Sequence, residues 1–215
     1  WGKFLNSLPL FIVSMMIIWF LAFPVGIEAA INRDSKFDRT STFISYALIS
    51  FPGYFLAYLL IIFMVKTFNI PVIGMRTFGL EEAPLLLRSM DRVWHLTLPA
   101  IISAIAGIAV LSRYVRSQML EVIHQDYMRT ARAKGLSDRV VLFRHALRNS
   151  LLPLITVAAS ILPAMIGGSV IVESIFSIPG MGKLTLDAIF ARDRELVLAG
   201  TLASGVLGLL SVLIA

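Results

Sequence analysis

Residues 113–153 read RYVRSQMLEVIHQDYMRTARAKGLSDRVVLFRHALRNSLLP and form the one long polar stretch between runs of apolar sequence. From 113 to 148 the stretch contains eight Lys or Arg against three Asp or Glu. Apolar residues recur at helical spacing before Gly135 and again after it. The stretch therefore predicts two short amphipathic helices separated by Gly135, and we call residues 113–153 the elbow.

The residues around Gly135 supply signals for a helix end and a helix start. Glycine is typical of the position just past a helix C-terminus, and Arg132 and Lys134 lie in the closing turn. Ser137 can cap the next helix, with Asp138 in its first turn. The two apolar sets are Val115, Met119, Val122 and Ile123 on one side, and Leu136, Val140, Phe143 and Leu147 on the other.

The remainder of the chain has the composition of an integral membrane protein. Hydrophobic residues make up 58%, charged residues 15%, and the mean hydropathy is +0.85. A helix needs about 20 apolar residues to cross the hydrocarbon core. Windows free of Asp, Glu, Lys and Arg predict five membrane spans, at 4–27, 40–65, 93–112, 149–172 and 196–215.

The distribution of basic residues predicts the orientation, because cytoplasmic loops carry an excess of Lys and Arg. The elbow and the turn at 28–39 then lie in the cytoplasm. The basic charge of the chain reflects these loops, so we expect no nucleic-acid partner. No cysteine is present, which excludes disulfides and thiolate metal sites. The chain starts at Trp1 and stops inside an apolar run, so we expect it to be an excerpt.

Several local features carry structural expectations. The second span contains Pro52 and a group of aromatic residues that we expect to pack or anchor at the interface rather than contact substrate. A short interfacial helix is predicted around 82–90. Small residues in the third and last spans predict close helix contacts. The aromatic group is Phe51, Tyr54, Phe55 and Tyr58; the small residues are Ala100, Ser103, Ala104 and Gly107, and Gly200, Ser204 and Gly208.

Three functions are open for the elbow. A solvated loop would not need apolar residues at helical spacing. An amphipathic helix on anionic lipid would suit the arginines. A stiff projection could instead fit a groove on a cytosolic protein.

The residues of the elbow resemble a known family. YMRTARAKGLSDRVVLFRHALRNSLLP is similar to the cytoplasmic loop of binding-protein-dependent ABC importer permeases, in the subgroup for dipeptides, oligopeptides and nickel. Glu28-Ala29-Ala30 imitates the broader family's triplet but lacks its downstream Gly. The matching residues, which the resemblance implies dock an ATPase, are Tyr127, Thr130, Ala131, Arg132, Ala133, Lys134, Gly135, Leu136, His145, Arg148, Asn149 and Pro153.

A second block resembles the segment after the penultimate helix of these permeases. It consists of Glu173, Phe176, Pro179, Gly180 and Gly182, which we call the outer motif. Glu173 is the charged residue that we expect nearest the outer end of a substrate path, although a Glu at a helix end is more commonly just solvated.

The resemblance implies an all-α type I ABC importer transmembrane domain in a bacterial or archaeal cytoplasmic membrane, with the N-terminal span of the usual six absent. The chain would be a permease subunit and not an enzyme, with no cofactor of its own. Its implied partners are a homologous permease, two cytosolic ATPases that bind ATP and Mg²⁺, and an external binding protein. The implied substrate is a di- or oligopeptide, with nickel or chelated metal as the alternative.

Two other function classes are weaker. An ion-coupled transporter normally places ionisable groups within its spans, and the five windows contain only His95, at an end. An intramembrane enzyme lacks its motifs, since neither H-E-x-x-H nor G-x-S-x-G occurs and the three histidines are isolated. We expect His95 and His124 at the surface or interface, and His145, which the resemblance places in the docking loop, to pack or form a hydrogen bond without proton chemistry. Gly180-Met181-Gly182-Lys183 does not complete a phosphate loop, so we expect no nucleotide site. Because the enzyme motifs are missing and the histidines are isolated, we also expect no catalytic or metal site.

Overall fold

The computed structural model describes residues 2–69, 72–77, 79–80, 82–151 and 169–214. Regular secondary structure in these residues is entirely helical. Helix α6 covers 138–150 and contains a π-helical part, Val141–Leu147. The other helices are α1 (Gly2–Ile31), α2 (Lys36–Ser50), α3 (Gly53–Phe68), α4 (Leu85–Ile123), α5 (Asp126–Ala133), α7 (Val170–Ile175), α8 (Met181–Phe190) and α9 (Arg194–Ile214).

Helices α1 and α4 form the centre of the fold and lie side by side in the same direction. Ile18 of α1 faces Gly107 of α4, and further along Gly26 of α1 faces Ser112. A Cβ atom on Gly26 would lie 2.5 Å from the Ser112 backbone oxygen, so only glycine permits this approach. Ala104 is fully buried in the same contact region. The predicted close packing of the third span is therefore confirmed.

Two apolar clusters occupy opposite ends of the helix bundle. One joins α1, α3, α4 and α7, and the other joins α1, α4 and the elbow. Within a bilayer such contacts stabilise through dense packing, because lipid tails are as apolar as the side chains. The first cluster contains Leu10, Ile61, Leu98, Ile102, Phe176 and Ile178; the second contains Ala22, Leu111, Val115, Met119, Met128, Ala131, Val141 and Ala146.

The predicted second span is not one straight helix. Helices α2 and α3 meet at 95°, with Phe51 and Pro52 between them. Proline has no N–H to donate and steers the preceding residue away from helical geometry, and Phe51 accordingly has φ −88° and ψ 129°. The four aromatic residues around this bend are exposed, so within this chain they do not pack into a core.

Two helices among the described residues are long and apolar enough to cross a membrane, α1 and α4, and the bent pair α2–α3 could provide a third. The predicted spans 4–27 and 93–112 lie within α1 and α4. Most of the fourth predicted span, 152–168, lies outside the described residues. The last one, up to residue 214, coincides with α9, where open space surrounds the position of a Cβ on Gly200.

Two predicted boundaries are wrong. The turn predicted at 28–39 is only four residues long, because α1 continues through Glu28 to Ile31 and α2 starts at Lys36. The separate interfacial helix expected around 82–90 is instead the beginning of α4, which starts at Leu85 directly after Pro84. Proline commonly precedes or begins a helix, since its missing N–H has no partner there in any case.

Candidate functional site

The first half of the elbow differs from its prediction. Helix α4 continues beyond the predicted span to Ile123, and the chain then turns at His124 and Gln125 before the short helix α5. Gln125 has extended geometry, φ −70° and ψ 150°, which ends the regular α4 geometry. The predicted single short helix before Gly135 is thus the end of a 39-residue helix followed by a separate helix of eight residues.

The turn at Gly135 has the predicted form. Gly135 has φ +76°, and its N–H donates a hydrogen bond to the Arg132 carbonyl at 2.9 Å. Positive φ is readily accessible to glycine and strained for most other residues. Ser137 stands at the start of α6 with extended geometry, but its side chain makes no capping hydrogen bond. The predicted side-chain cap is therefore wrong, and Asp138 alone supplies the expected acidic first turn.

Helix α5 is fixed to the remainder of the chain by two buried apolar side chains and one hydrogen bond. Met128 is fully buried and Ala131 nearly so, in one cluster with Met119 of α4 and Val141 of α6. The Asn149 side-chain amide also donates to the Tyr127 hydroxyl at 3.3 Å, which joins α5 to the end of α6. The elbow is consequently a packed unit on the end of α4, not a free loop.

The outward surface of the elbow combines basic and apolar groups. Leu136, Val140 and Phe143 of the second predicted apolar set point away from the chain's own core, and Phe143 is 52% exposed. Ala131 is the exception among the residues of α5 expected to dock, since it packs inward. The other exposed residues of the predicted docking set are Tyr127, Thr130, Arg132, Ala133, Lys134, Gly135, Arg148 and Asn149; His145 is half-buried, and Pro153 lies outside the described residues.

Charges on this surface are only loosely paired. Arg132 Nε lies 3.8 Å from Asp138 Oδ1, and both side chains are well exposed. An exposed pair at this distance contributes little to stability, because water and salt screen it. Arg132 can therefore exchange Asp138 for another acidic partner at little cost.

The outer motif is a buried hydrogen-bonded junction. Glu173 is fully buried; its Oε1 accepts from the Ser7 hydroxyl at 2.7 Å and its Oε2 accepts from the Lys183 N–H at 3.0 Å. Ser7 Oγ in turn accepts from the Met181 N–H at 2.8 Å. Together the two side chains bind N–H groups at the start of α8, which a helix leaves unpaired. Glu173 is therefore neither solvated nor exposed to an open path in this chain.

The other residues of the outer motif pack around this junction. A Cβ on Gly180 would collide with Ser7 Oγ and with the Glu173 carboxyl group. The Pro179 carbonyl accepts from the Asn6 side chain at 3.1 Å, while Phe176 and Gly182 are buried. The motif thus attaches α8 to the beginning of α1.

One charged pair was missed by sequence reasoning. Asp38 at the start of α2 forms a two-pronged ion pair with Arg116 of α4, with distances of 2.6 and 2.7 Å. Both lie outside the predicted windows 40–65 and 93–112. The Arg116 guanidinium holds the pKa of the Asp38 carboxyl below its ordinary value, because it donates to the ionised form. Nothing in the mixed charges of the turn, Glu28, Asp34 and Asp38 against Arg33, Lys36 and Arg39, singled out Asp38 as the partner of Arg116.

The histidines are distributed differently from the prediction. His95 is buried, 3% exposed, with Nδ1 3.0 Å from the Asp91 carbonyl oxygen. It lines a small cavity with Met64, Val72 and Trp94. Its expected surface or interfacial position is therefore wrong, whereas His124 is exposed. Across the described ranges, no three His, Asp or Glu side chains form a group that could hold a metal ion.

The chain is similar in sequence to a family of known transport proteins. A family model described as binding-protein-dependent transport system inner membrane component matches residues 22–215. The chain is 43% identical over 213 residues to the oligopeptide transport system permease protein AppB of Bacillus subtilis (strain 168), covering 98% of the chain and 65% of that relative.

Two further relatives have similar names and coverage. The chain is 38% identical over 220 residues to the di/tripeptide transport system permease protein DppB of Pseudomonas aeruginosa (strain UCBPP-PA14), covering 94% of the chain and 66% of the relative. It is 37% identical to a putative peptide permease protein of Brucella suis biovar 1 (strain 1330) over 201 residues, 93% of the chain and 61% of the relative. The chain thus spans less than two thirds of the length of these curated relatives.

Proposed function

Because this chain belongs to the family of binding-protein-dependent transport system inner membrane components, we propose that it forms half of the translocation pathway of an ATP-driven peptide importer. It is an all-helical, multi-pass protein of the inner membrane, with the fold of a type I ABC importer transmembrane domain, and it is a transport component. The observation that carries the proposal is the packed elbow with an outward basic and apolar surface.

The proposed partners follow from this role. A homologous permease supplies the other half of the pathway, and a binding protein delivers the peptide from outside. Two cytosolic ATPases bind ATP and Mg²⁺ and hydrolyse the ATP. The peptide assignment is supported by the names of the relatives, which are permeases for oligopeptides and for di- and tripeptides.

The elbow is proposed to be the contact with an ATPase. Leu136, Val140 and Phe143 give it an apolar surface, which a groove can bury, and Arg132 and Lys134 add positive charge beside it. Met128 and Ala131 hold the elbow on α4, so a push on α5 is passed on as a rigid-body movement. A loosely attached loop would absorb the same push.

The direct test is transport by the complete complex in proteoliposomes. The permease pair, the ATPases and the binding protein are reconstituted, and uptake of labelled di-, tri- and oligopeptides is measured with and without ATP. ATP-dependent uptake of at least one peptide length is expected. Uptake of chelated nickel in place of every peptide would contradict the peptide assignment, and uptake driven by an ion gradient without ATP would contradict the proposed importer class.

Charge reversal on the elbow is expected to weaken ATPase binding. In the double variant Arg132→Glu and Lys134→Glu, attraction to an acidic groove becomes repulsion, and affinity should fall about tenfold at low salt, with a smaller effect at high salt. The loss of ATPase binding is measured by co-purification of the ATPases with the permease pair. Arg194→Glu, on an exposed residue of α9, is the control. Unchanged co-purification with reduced attachment of the elbow to anionic lipid would favour the lipid-surface interpretation.

A further inference from the structure

Helix α2 has a charged group where it meets the remainder of the chain. Its buried residues are Asp38 and Ser45, and its other side chains are exposed or half-exposed. The Asp38 side chain is only 4% exposed, although it lies in the first turn, close to the predicted cytoplasmic surface. A carboxylate in such a position is stable only when it is paired and hydrogen-bonded.

Both oxygens of Asp38 are occupied. Arg116 Nε donates to Oδ1 at 2.6 Å, and an Arg116 terminal nitrogen donates to Oδ2 at 2.7 Å. The backbone N–H of Asp34 adds a further hydrogen bond to Oδ2 at 2.9 Å. The planar guanidinium group donates two parallel hydrogen bonds to a carboxylate in only a narrow range of orientations. The pair therefore fixes the direction of α2 against α4 as well as its distance.

A second arginine contact lies two helical turns further along α2. Arg113 donates from a terminal nitrogen to the Tyr46 hydroxyl at 2.8 Å, with its guanidinium carbon 3.9 Å from the ring centroid. Asp38 and Tyr46 are thus held by Arg116 and Arg113 in reverse order, so α2 is antiparallel to α4. Two separated contacts prevent α2 from pivoting about either of them.

Arg113 and Arg116 belong to the elbow, in the part of α4 that also packs against α5. Met119 lies three residues after Arg116, on the same side of the helix. It is fully buried against Met128 of α5, and its sulfur accepts the Ser150 hydroxyl at 3.2 Å. A displacement of α5 therefore reaches α4 one turn away from the ion pair.

We propose that Asp38 and Arg116 are a positioning pair that makes α2, and the bent α2–α3 segment with it, move with the elbow during transport. The inference rests on the proposed function of the elbow. A buried ion pair adds little net stability compared with apolar residues of similar size, but it selects one orientation. That property is suited to transmitting a movement between two helices.

Removal of the negative charge of Asp38 should reduce the coupling of peptide uptake to ATP hydrolysis. In proteoliposomes that contain the complete importer, Asp38→Asn is expected to lower peptide uptake per ATP at least about fivefold, the lower end of typical coupling between sites. Arg116→Lys should give an intermediate loss, because lysine keeps the charge without the fork. Arg39→Gln, which alters an exposed neighbour of Asp38, should match the unaltered chain. Unchanged uptake per ATP in Asp38→Asn would overturn the inference.

A covalent cross-link tests whether positions 38 and 116 stay together throughout the transport cycle or separate during it. Residues 1–215 contain no cysteine, so Asp38→Cys with Arg116→Cys introduces the only two thiols within them. Uptake per ATP should be low in this variant and should recover when a short bifunctional thiol reagent joins the two positions. Loss of the remaining uptake on tethering would mean that the pair opens in each cycle, which overturns the proposal.

The two remaining outcomes are also decisive. If neither Asp38→Asn nor the double cysteine variant assembles with its partners, the pair serves folding alone and the proposal is overturned. Failure of the proposed function is a separate result, because the unaltered chain and Arg39→Gln would then show no ATP-dependent peptide uptake.

Discussion

Substitution of Gly135 by valine is expected to abolish most peptide uptake while leaving membrane insertion and basal ATP hydrolysis intact. Gly135 has φ +76°, and a β-branched residue in that region costs roughly 2 kcal/mol. Open space surrounds the position of its Cβ, so the cost comes from the backbone and not from a collision. The turn should therefore rearrange and change the angle between α5 and α6, which would misplace the surface of the elbow.

The effect of Gly135→Val should be visible as lost communication between peptide and ATPase. Uptake per ATP is expected to fall roughly tenfold or more, since about 1.4 kcal/mol corresponds to a factor of ten. Gly135→Pro should act in the same direction, because proline cannot adopt positive φ. Gly135→Asn is the matched control, since asparagine tolerates this conformation. A normal stimulation of the ATPase by peptide-loaded binding protein in Gly135→Val would refute the expectation.

Replacement of Glu173 by alanine is expected to destabilise the fold at the opposite end of the bundle. The substitution removes the acceptor of the Ser7 hydroxyl, which is buried, and of the Lys183 N–H, which is partly buried. Each buried donor left unpaired costs about 1–3 kcal/mol. The start of α8 should detach from α1, and the unfolding temperature of the purified permease pair should fall by roughly 5–10 °C.

Thermal unfolding in detergent measures the effect of Glu173→Ala. Glu173→Gln should lose less stability, because its amide oxygen can still accept one of the two hydrogen bonds. Asp187→Asn is the control, on an exposed carboxylate of α8 itself. An identical unfolding temperature for Glu173→Ala and Asp187→Asn would show that the junction contributes nothing to stability.

Short sequence patterns predicted those parts of the structure that are determined by residues close together in the sequence. Long apolar windows located α1 and α4, and Gly135 marked the turn of the elbow because glycine adopts positive φ more readily than other residues. Pro52 was visible in the sequence, but the 95° angle of the bend and the packing of α2 on α4 were not. Periodicity grouped Leu136, Val140 and Phe143 on one surface without showing whether that surface faced inward or outward.

Contacts between distant segments could not be predicted in the same way. Ser7 and Glu173 are far apart in sequence, and neither has a local pattern that selects the other. Asp38 and Arg116 come together only after α2 has folded back along α4. The break at Gln125 contains neither Gly nor Pro, the residues that most commonly mark a helix end in a sequence. Such features depend on tertiary packing, which overrides local preference.

The contact of Gly26 with Ser112 has a consequence for biosynthesis. The two residues belong to helices separated by the whole of α2 and α3, so their contact cannot form until α4 has left the ribosome. At about 5–20 residues per second, the ribosome takes on the order of ten seconds to synthesise the intervening chain. Throughout that interval the Ala22–Gly26 surface of α1 faces lipid or the insertion machinery. Until α4 arrives, this surface of α1 is therefore open to pairing with a wrong helix.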